Sequence, residues 1–410
     1  MISYYHKFIY LLPLALITGP FLPDLIVVIC SILFLIDTFR LKLFNYYNNN
    51  FFKIFIIFFI LINLSSLFSE HLQSFKYSIG YIRYGVFSIF LYYVLVNFKN
   101  FKINFSIVFF LTFLIIIFDG YIQYFFGKNL ILFELQTYQT GLPYVTSFMG
   151  EEKKLGSFLA KLLPIFLFSI LMIKRKFNYR LPYYSTVLMI ILFILILLTT
   201  ERVSIFIAIC LFILILFKSS FLIKSKKIFS FGIVILTALT LFYNPGLYEK
   251  IKSVFYSSGL LFPGYNASGS IKGGYDEGIF FFSKFHQDQI INVIGILKEN
   301  TFLGLGAKNY KLYVTNGWHP HNYHAQVIAE LGIFSYLVFF STFVFLMIKS
   351  IKIFLFENFN SIEAESKSYI YIILLLNLLP IPSGDFFNNW VNIILYLPVG
   401  FFLYLNEKKI

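Results

Sequence analysis

Residues 183–218 read YYSTVLMIILFILILLTTERVSIFIAICLFILILFK, and this stretch decides the fold. Two apolar runs flank a single polar interruption, Thr199-Thr200-Glu201-Arg202-Val203-Ser204. At ~1.5 Å rise per residue, runs of about 17 to 22 residues cross a ~30 Å hydrocarbon core as α-helices. A membrane barrel would show segments of ~9–11 residues with lipid-facing side chains at every second position. Neither run alternates in that way, so both are read as transmembrane helices.

Working outward in both directions, similar runs recur near 8–19, 21–39, 54–69, 77–97, 105–126, 156–173, 228–243, 324–348, 368–382 and 389–406, which with 183–200 and 203–222 makes twelve. Composition agrees: 59% hydrophobic and 13% charged residues leave too little polar material to coat a water-soluble globule. The expected fold is an all-α polytopic integral membrane protein of about twelve transmembrane helices. Residues 1–243 would carry the first nine, 244–323 a large periplasmic loop with short amphipathic helices, and 324–410 the last three, all in one membrane domain.

Orientation follows from the cations, because short loops rich in Lys and Arg stay cytoplasmic. Lys7, then Arg40, Lys42 and Lys53, then Lys99 and Lys102, then Lys174, Arg175, Lys176 and Arg180, then Lys218 to Lys227, and finally Lys349, Lys352 and Lys367 fall in every second connection. Both termini are therefore expected in the cytoplasm, with 127–155 and 244–323 facing outward. The net charge of +14 reports this topology and no affinity for nucleic acid, since the cations are dispersed between helices. Cys30 and Cys210 both lie inside apolar runs and form neither a disulfide framework nor a zinc-type spacing. The N-terminal run lacks a convincing cleavage site and is read as a retained first helix.

Chemistry concentrates at the end of the long outward loop. From His286 to Asn300, Ile290, Val293, Ile294 and Leu297 recur at helical spacing, which predicts an amphipathic helix on the membrane surface. After it come Gly304-Leu305-Gly306-Ala307-Lys308-Asn309-Tyr310 and then Trp318-His319-Pro320-His321-Asn322-Tyr323-His324-Ala325-Gln326. Three of the six histidines thus sit within six residues. Histidine is the side chain whose ordinary pKa suits proton transfer near neutrality, so a general base is the natural reading. Zinc is a rival, but the cluster lacks the helical pair and carboxylate partner of common catalytic zinc motifs. Interfacial anchoring by His and Trp is the plain alternative.

Arg202 is the second feature. It stands in the first turn of a helix on the outward side, where a helix N-terminus already favours anions and a guanidinium would add to a phosphate site. A local salt bridge to Glu201 or another acid is the alternative. Arg83, in the outer half of the fourth span with Lys76 above it, repeats the oddity, and two cations facing one outer cavity suggest a diphosphate ligand.

These residues resemble the superfamily of bacterial O-antigen ligases and O-antigen polymerases. The strongest likeness is H-P-H-N-x-x-x-Q-x-x-x-E-x-G at His319, Pro320, His321, Asn322, Gln326, Glu330 and Gly332, preceded by Asn300-Thr301-Phe302-Leu303-Gly304-Leu305-Gly306. Lesser likenesses are Thr199 to Arg202, Asp119 to Tyr124, Gly150 to Ser157, Tyr81 to Gly85 and Pro382 to Trp390. His324 stands where that family often has Tyr, and Ser335 where a second Gly is common.

The resemblance implies a membrane glycosyltransferase of lipopolysaccharide or surface polysaccharide biosynthesis. It would move a glycan from undecaprenyl diphosphate to a sugar hydroxyl, with a glycan or lipid A–core acceptor and no metal or nucleotide cofactor. His321 would be the base, His319 its assistant, and Arg202 with Arg83 would neutralise the departing diphosphate. Lys76, Asn322, Gln326, Glu330 and Trp318 would complete the substrate site. The likenesses at Asp119-Gly120 and Gly150-Glu151-Glu152 lean toward a polymerase. A transporter of lipid-linked oligosaccharides is the alternative from another class, although it needs no surface histidines and predicts paired broken helices. A structural subunit would need neither Arg nor His.

Overall fold

The computed structural model describes residues 2–71, 73–137, 142–177, 181–219, 226–243, 246, 248, 284–314, 319–356 and 361–406. Short helical turns over residues 2–15 lead into α1 (Phe21–Leu41), α2 (Asn50–Leu67), α3 (Gln73–Gly80), α4 (Ile82–Asn97), α5 (Phe101–Phe126), α6 (Leu155–Phe177) and α7 (Leu181–Leu198). Then follow α8 (Arg202–Lys218), α9 (Lys226–Tyr243), α10 (Lys284–Glu299), α11 (Tyr310–Tyr313), α12 (Tyr323–Phe356), α13 (Ile362–Leu376) and α14 (Asn389–Asn406). Among the described residues the strands are limited to the pair Gln136–Thr137 and Pro143–Tyr144.

The fold is that of an all-α membrane protein. Seven helices among the described residues are long and apolar enough to cross a membrane: α1, α2, α3 continuous with α4, α5, α6, α12 and α14. Their outer faces are apolar as well. On α1 the exposed residues Leu25, Ile29, Ile32, Ile36 and Phe39 recur every three or four positions, and on α2 Ile54, Ile57, Ile60, Leu64 and Leu67 do the same. The inner face of α2 instead carries buried Ser65 and Ser66. An apolar stripe turned outward and hydroxyls turned inward suit a lipid solvent.

Eleven of the twelve expected segments overlap helices of the chain, and seven of them fall on the membrane-long ones. The run at 8–19 is not one helix. A 3-10 helix, His6–Leu11, gives way to Leu12–Ala15, whose Pro13 lacks the N–H that would continue the ladder, and Gly19 at φ 106° ends the segment. The amphipathic helix expected over 286–300 is α10, with Val293 buried and Ile291 and Ile294 exposed. Residues 244, 245, 247, 249–283 and 315–318 of the long loop lie outside the described residues.

The chain divides into two compact units. The first comprises Met1–Lys102, Phe285–Phe356 and Ile370–Ile410. At its centre α4 is buried along nearly its whole length and packs on α14, α1 and α2. Gly85 of α4 and Gly400 of α14 allow this, since a Cβ on Gly85 would run into the Phe55 ring and one on Gly400 would lie 2.6 Å from Leu91 Cγ. Small residues let backbones approach where lipid supplies no hydrophobic drive between helices. Hydroxyls cross-link the same seam: Tyr81 donates to Asn392 Oδ1 (2.9 Å) and Ser88 to the Tyr396 carbonyl (3.0 Å).

The second unit comprises Ile103–Lys284 and Glu357–Tyr369. Its buried helix is α6, flanked by α7 and α8. Asp119 and Gln123 of α5, both fully buried, hold the 127–147 connection by accepting from Leu130 N (2.8 Å) and Ser147 Oγ (2.5 Å), and from Thr146 N (2.9 Å) and Ser147 N (2.7 Å), respectively.

Candidate functional site

The helix that follows the histidine motif is broken. Gly332 in α12 has φ 73° and ψ −178°, a conformation open in practice to glycine alone. The break releases backbone groups from the helical ladder, and the segment before the motif takes them up. Leu305 N donates to Ala329 O (3.1 Å), Gly306 N to Glu330 O (2.7 Å), and Ile333 N to Thr301 O (3.0 Å). Ser65 Oγ of α2 adds a bond to Glu330 O (2.9 Å). Non-helical backbone survives at such a place only when protein groups satisfy it.

The same segment is fastened further along. Ala307 N donates to Ser66 Oγ (3.2 Å), Ala307 O accepts from Ser74 Oγ (2.9 Å), and Asn309 Nδ2 donates back to Leu305 O (2.8 Å). Beneath it, Tyr310 joins Val293 and Ala329 in a small apolar cluster that ties α10 and α11 to the first half of α12.

Two buried motif side chains, Gln326 and Glu330, form one network with Asp385. Glu330, 1% exposed, accepts from Tyr310 N through Oε1 (3.0 Å) and from Gln326 Nε2 through Oε2 (3.1 Å). Gln326 Nε2 also donates to Asp385 Oδ1 (2.7 Å), and its Oε1 accepts from Phe386 N (2.7 Å). The α12 motif is thereby joined to the loop before α14. His321 is tied to the same loop, since its carbonyl accepts from Ser383 N (2.7 Å).

His321 itself stands in the left-handed region at φ 52°, and its ring lies against that of His319 with centroids 4.0 Å apart. Both are half-buried. Asn322 is the cap of α12, its Oδ1 accepting from His324 N (2.9 Å) and Ala325 N (3.2 Å). His324 turns into the protein instead of joining the pair. Its Nε2 donates to the Leu378 carbonyl (2.8 Å), and its ring meets Phe339 and Phe343 edge-on. The three histidines therefore divide into a half-buried pair with adjacent rings and one packed among aromatic side chains. Among the described residues no three His, Cys, Asp or Glu side chains converge as metal ligands would.

The expected cations fare differently. Arg83 is ion-paired, its Nε 3.0 Å from Asp24 Oδ1, with Nη2 on Tyr84 Oη (2.7 Å) and Asn389 Oδ1 (3.1 Å). Asn389 Nδ2 closes the ring by donating to Asp24 Oδ2 (2.8 Å). The guanidinium is thus compensated within the protein, which the sequence reading of a free outward cation did not foresee. Lys76 is exposed on α3. Trp318 lies outside the described residues. Arg202, in the second unit, is exposed at the first residue of α8.

Its neighbour Glu201 is engaged elsewhere. Glu201 accepts from Gly156 N (2.7 Å), Ser157 N (2.8 Å) and Ser204 Oγ (3.0 Å), so its carboxylate serves the N-terminus of α6. Burial pushes its pKa up to about 7, against the lowering pull of those hydrogen bonds and of Lys153.

Sequence reasoning left out Asp385, Asp24, Asn389 and Lys308. Asp385 and Asn389 lie within the Pro382 to Trp390 likeness, and Lys308 within Gly304 to Tyr310, so the segments were marked while the residues were not. Fold and site together define an all-α membrane protein with a histidine pair at the head of a broken helix. Compared with protein families, curated proteins and solved structures, the chain gave no match.

Proposed function

We propose that this is a bacterial inner-membrane glycosyltransferase of the O-antigen ligase or polymerase kind, acting on undecaprenyl-diphosphate-linked glycan at the periplasmic face, with both termini cytoplasmic. The observation that supports it is the His319–His321 pair, held on a strained and doubly anchored turn while His324 is packed away. A strained residue that its surroundings over-determine is characteristic of a functional position.

In this reading His321 takes the proton of the acceptor hydroxyl as that oxygen attacks the anomeric carbon. The bond from the anomeric carbon to the diphosphate oxygen breaks, and undecaprenyl diphosphate leaves as the anion. His319 orients His321. Gln326, Glu330 and Asp385 hold the loop. Arg202 is assigned to the diphosphate by the resemblance alone, and the expectation there is that Arg202→Lys, which keeps charge but loses the planar fork, is poorly tolerated.

The break at Gly332 favours a second reading, a transporter of lipid-linked oligosaccharides, because transporters place discontinuous helices at their substrate sites. In such sites the freed backbone faces the cargo, whereas here Leu305, Gly306 and Thr301 occupy it. The deciding experiment supplies purified protein with lipid-linked glycan and either a lipid A–core acceptor or a second lipid-linked unit. Transfer with release of undecaprenyl diphosphate is expected with one of them. Flipping of labelled donor in vesicles without any transfer would overturn the reading.

A further inference from the structure

Within the first unit, at the segment that precedes the histidine motif, lies a cavity of about 550 Å³ bounded by Glu70, His71 and Tyr77 on one side and Lys308, Asn309 and Lys311 on the other. Its volume falls in the ~300–1,000 Å³ range of small-ligand sites. Two lysines face it. Among the described residues neither takes part in an ion pair, in contrast to Arg83. Lys308 is held in place: its backbone is left-handed at φ 66°, between Ala307 and Asn309, both hydrogen-bonded to the 66–74 stretch, and its ammonium lies 4.1 Å from the centroid of the Tyr77 ring. Half-buried there, the ammonium has its pKa lowered by desolvation, while Asp385 and Glu330 act to raise it. The acid in the cavity, Glu70, is drawn aside by the Tyr313 hydroxyl, which donates to Oε2 (2.9 Å).

We propose that this cavity binds a diphosphate, with Lys308 and Lys311 as its cationic contacts and Tyr77 as a wall for the attached group. The Lys308 ammonium, held over Tyr77 on a rigid turn and partly dehydrated, and the exposed Lys311 beside it, neither in an ion pair among the described residues, together present charge suited to an anion of matching extent. A diphosphate spans two such charges, and an aromatic face suits the sugar or isoprenoid carbon next to it. This deepens the transferase reading by naming the diphosphate's contacts, and it rests on that reading only for the identity of the lipid.

The test is direct binding to the purified full chain in detergent, with inorganic pyrophosphate and farnesyl diphosphate as the probes. Wild type is expected to bind both, and tighter binding of farnesyl diphosphate assigns the site to a lipid head while equal binding assigns it to the free anion. Lys308→Met and Lys311→Met should each weaken binding by about tenfold to a hundredfold, as loss of a hydrogen bond to a charged group does. Lys352→Met, on exposed α12 surface, should leave it unchanged. Methionine keeps the stem over Tyr77, and thermal unfolding checks that each variant is folded. Unchanged binding in the Lys308→Met/Lys311→Met double variant would overturn the proposal. Because no acceptor is present, diphosphate binding by a protein that transfers no glycan would keep this site and remove the transferase reading.

Discussion

The backbones of Gly304 and Gly332 lie so close that neither position has room for a methyl group. A Cβ on Gly304 would sit 2.6 Å from the Gly332 nitrogen, and one on Gly332 would fall on the Phe302 carbonyl. Both glycines are left-handed, at φ 68° and 73°. Gly332→Ala should therefore cost more than the ~1–3 kcal/mol of backbone strain alone. Gly295→Ala on α10, where a Cβ meets nothing within 4 Å, should be neutral or stabilising by up to ~1 kcal/mol. Thermal unfolding of the two variants in the same detergent compares them, and equal midpoints would contradict the zipped-break description.

His321 and His324 should separate by the kind of damage they cause. His321→Ala is expected to lower transfer by ~10²–10⁴-fold in a protein of wild-type stability, the usual contribution of a positioned base. His324→Ala leaves the Leu378 carbonyl without its donor and opens a gap among Phe339 and Phe343, so its melting point should fall while the surviving folded fraction still transfers. An assay of both variants normalised to folded protein decides. Loss of activity confined to His324→Ala would reverse the assignment.

Glu201 gives a pH signature. Its pKa is raised in the folded state to about 7 from an ordinary value near 4.5, so the folded protein holds this proton more tightly than the unfolded chain. Its contribution to stability is full below the unfolded value and is lost as pH rises through 7. Glu201→Gln should flatten the stability profile between pH 4.5 and 7 by on the order of 3 kcal/mol. Parallel melts across that window test it, and a slope unchanged in the variant would place the titration on another group.

Arg83 and Asp24 should behave as one structural unit. Each is roughly four-fifths covered, with side chains 18% and 20% exposed, so Arg83→Met or Asp24→Asn should destabilise by about 2–4 kcal/mol through the partner left behind. The double variant should recover part of the loss. A double-mutant cycle without coupling would return Arg83 to the ligand-binding role that its sequence position suggested.

Helix positions were legible because lipid makes length and apolarity sufficient signals, as the agreement of α7 and α8 with the 183–218 stretch illustrates. The turn over residues 2–15 was not, because a run of Leu and Ile hides what one proline does to a hydrogen-bond ladder. In the candidate site, the pattern from His319 to Glu330 read Asn322, Gln326 and Glu330 as substrate contacts, and their protein partners were not visible in it. Asn322 caps a helix, and Gln326 and Glu330 fasten two loops. Spacing shows which side chains share a face, whereas their partners, Asp385 and the Tyr310 amide, come from positions that no local period connects. Asp24 is 59 residues from Arg83, so the charge compensation could be seen only in three dimensions.

The interruption at Gly332 has a mechanical consequence. Residues 323–331 are bonded to the 301–310 segment, and 333–356, tied to it by Ile333 N, form an apolar rod whose Phe334, Leu337, Phe345 and Ile348 are exposed. A thicker or thinner bilayer is accommodated by tilting such a rod, at a fraction of a kcal/mol per Å of mismatch. With the pivot at Gly332, such a tilt is felt above it through the His324 ring, which packs on Phe339 and Phe343 of the rod, so the lipid around the lower half bears on the packing just behind the histidine turn.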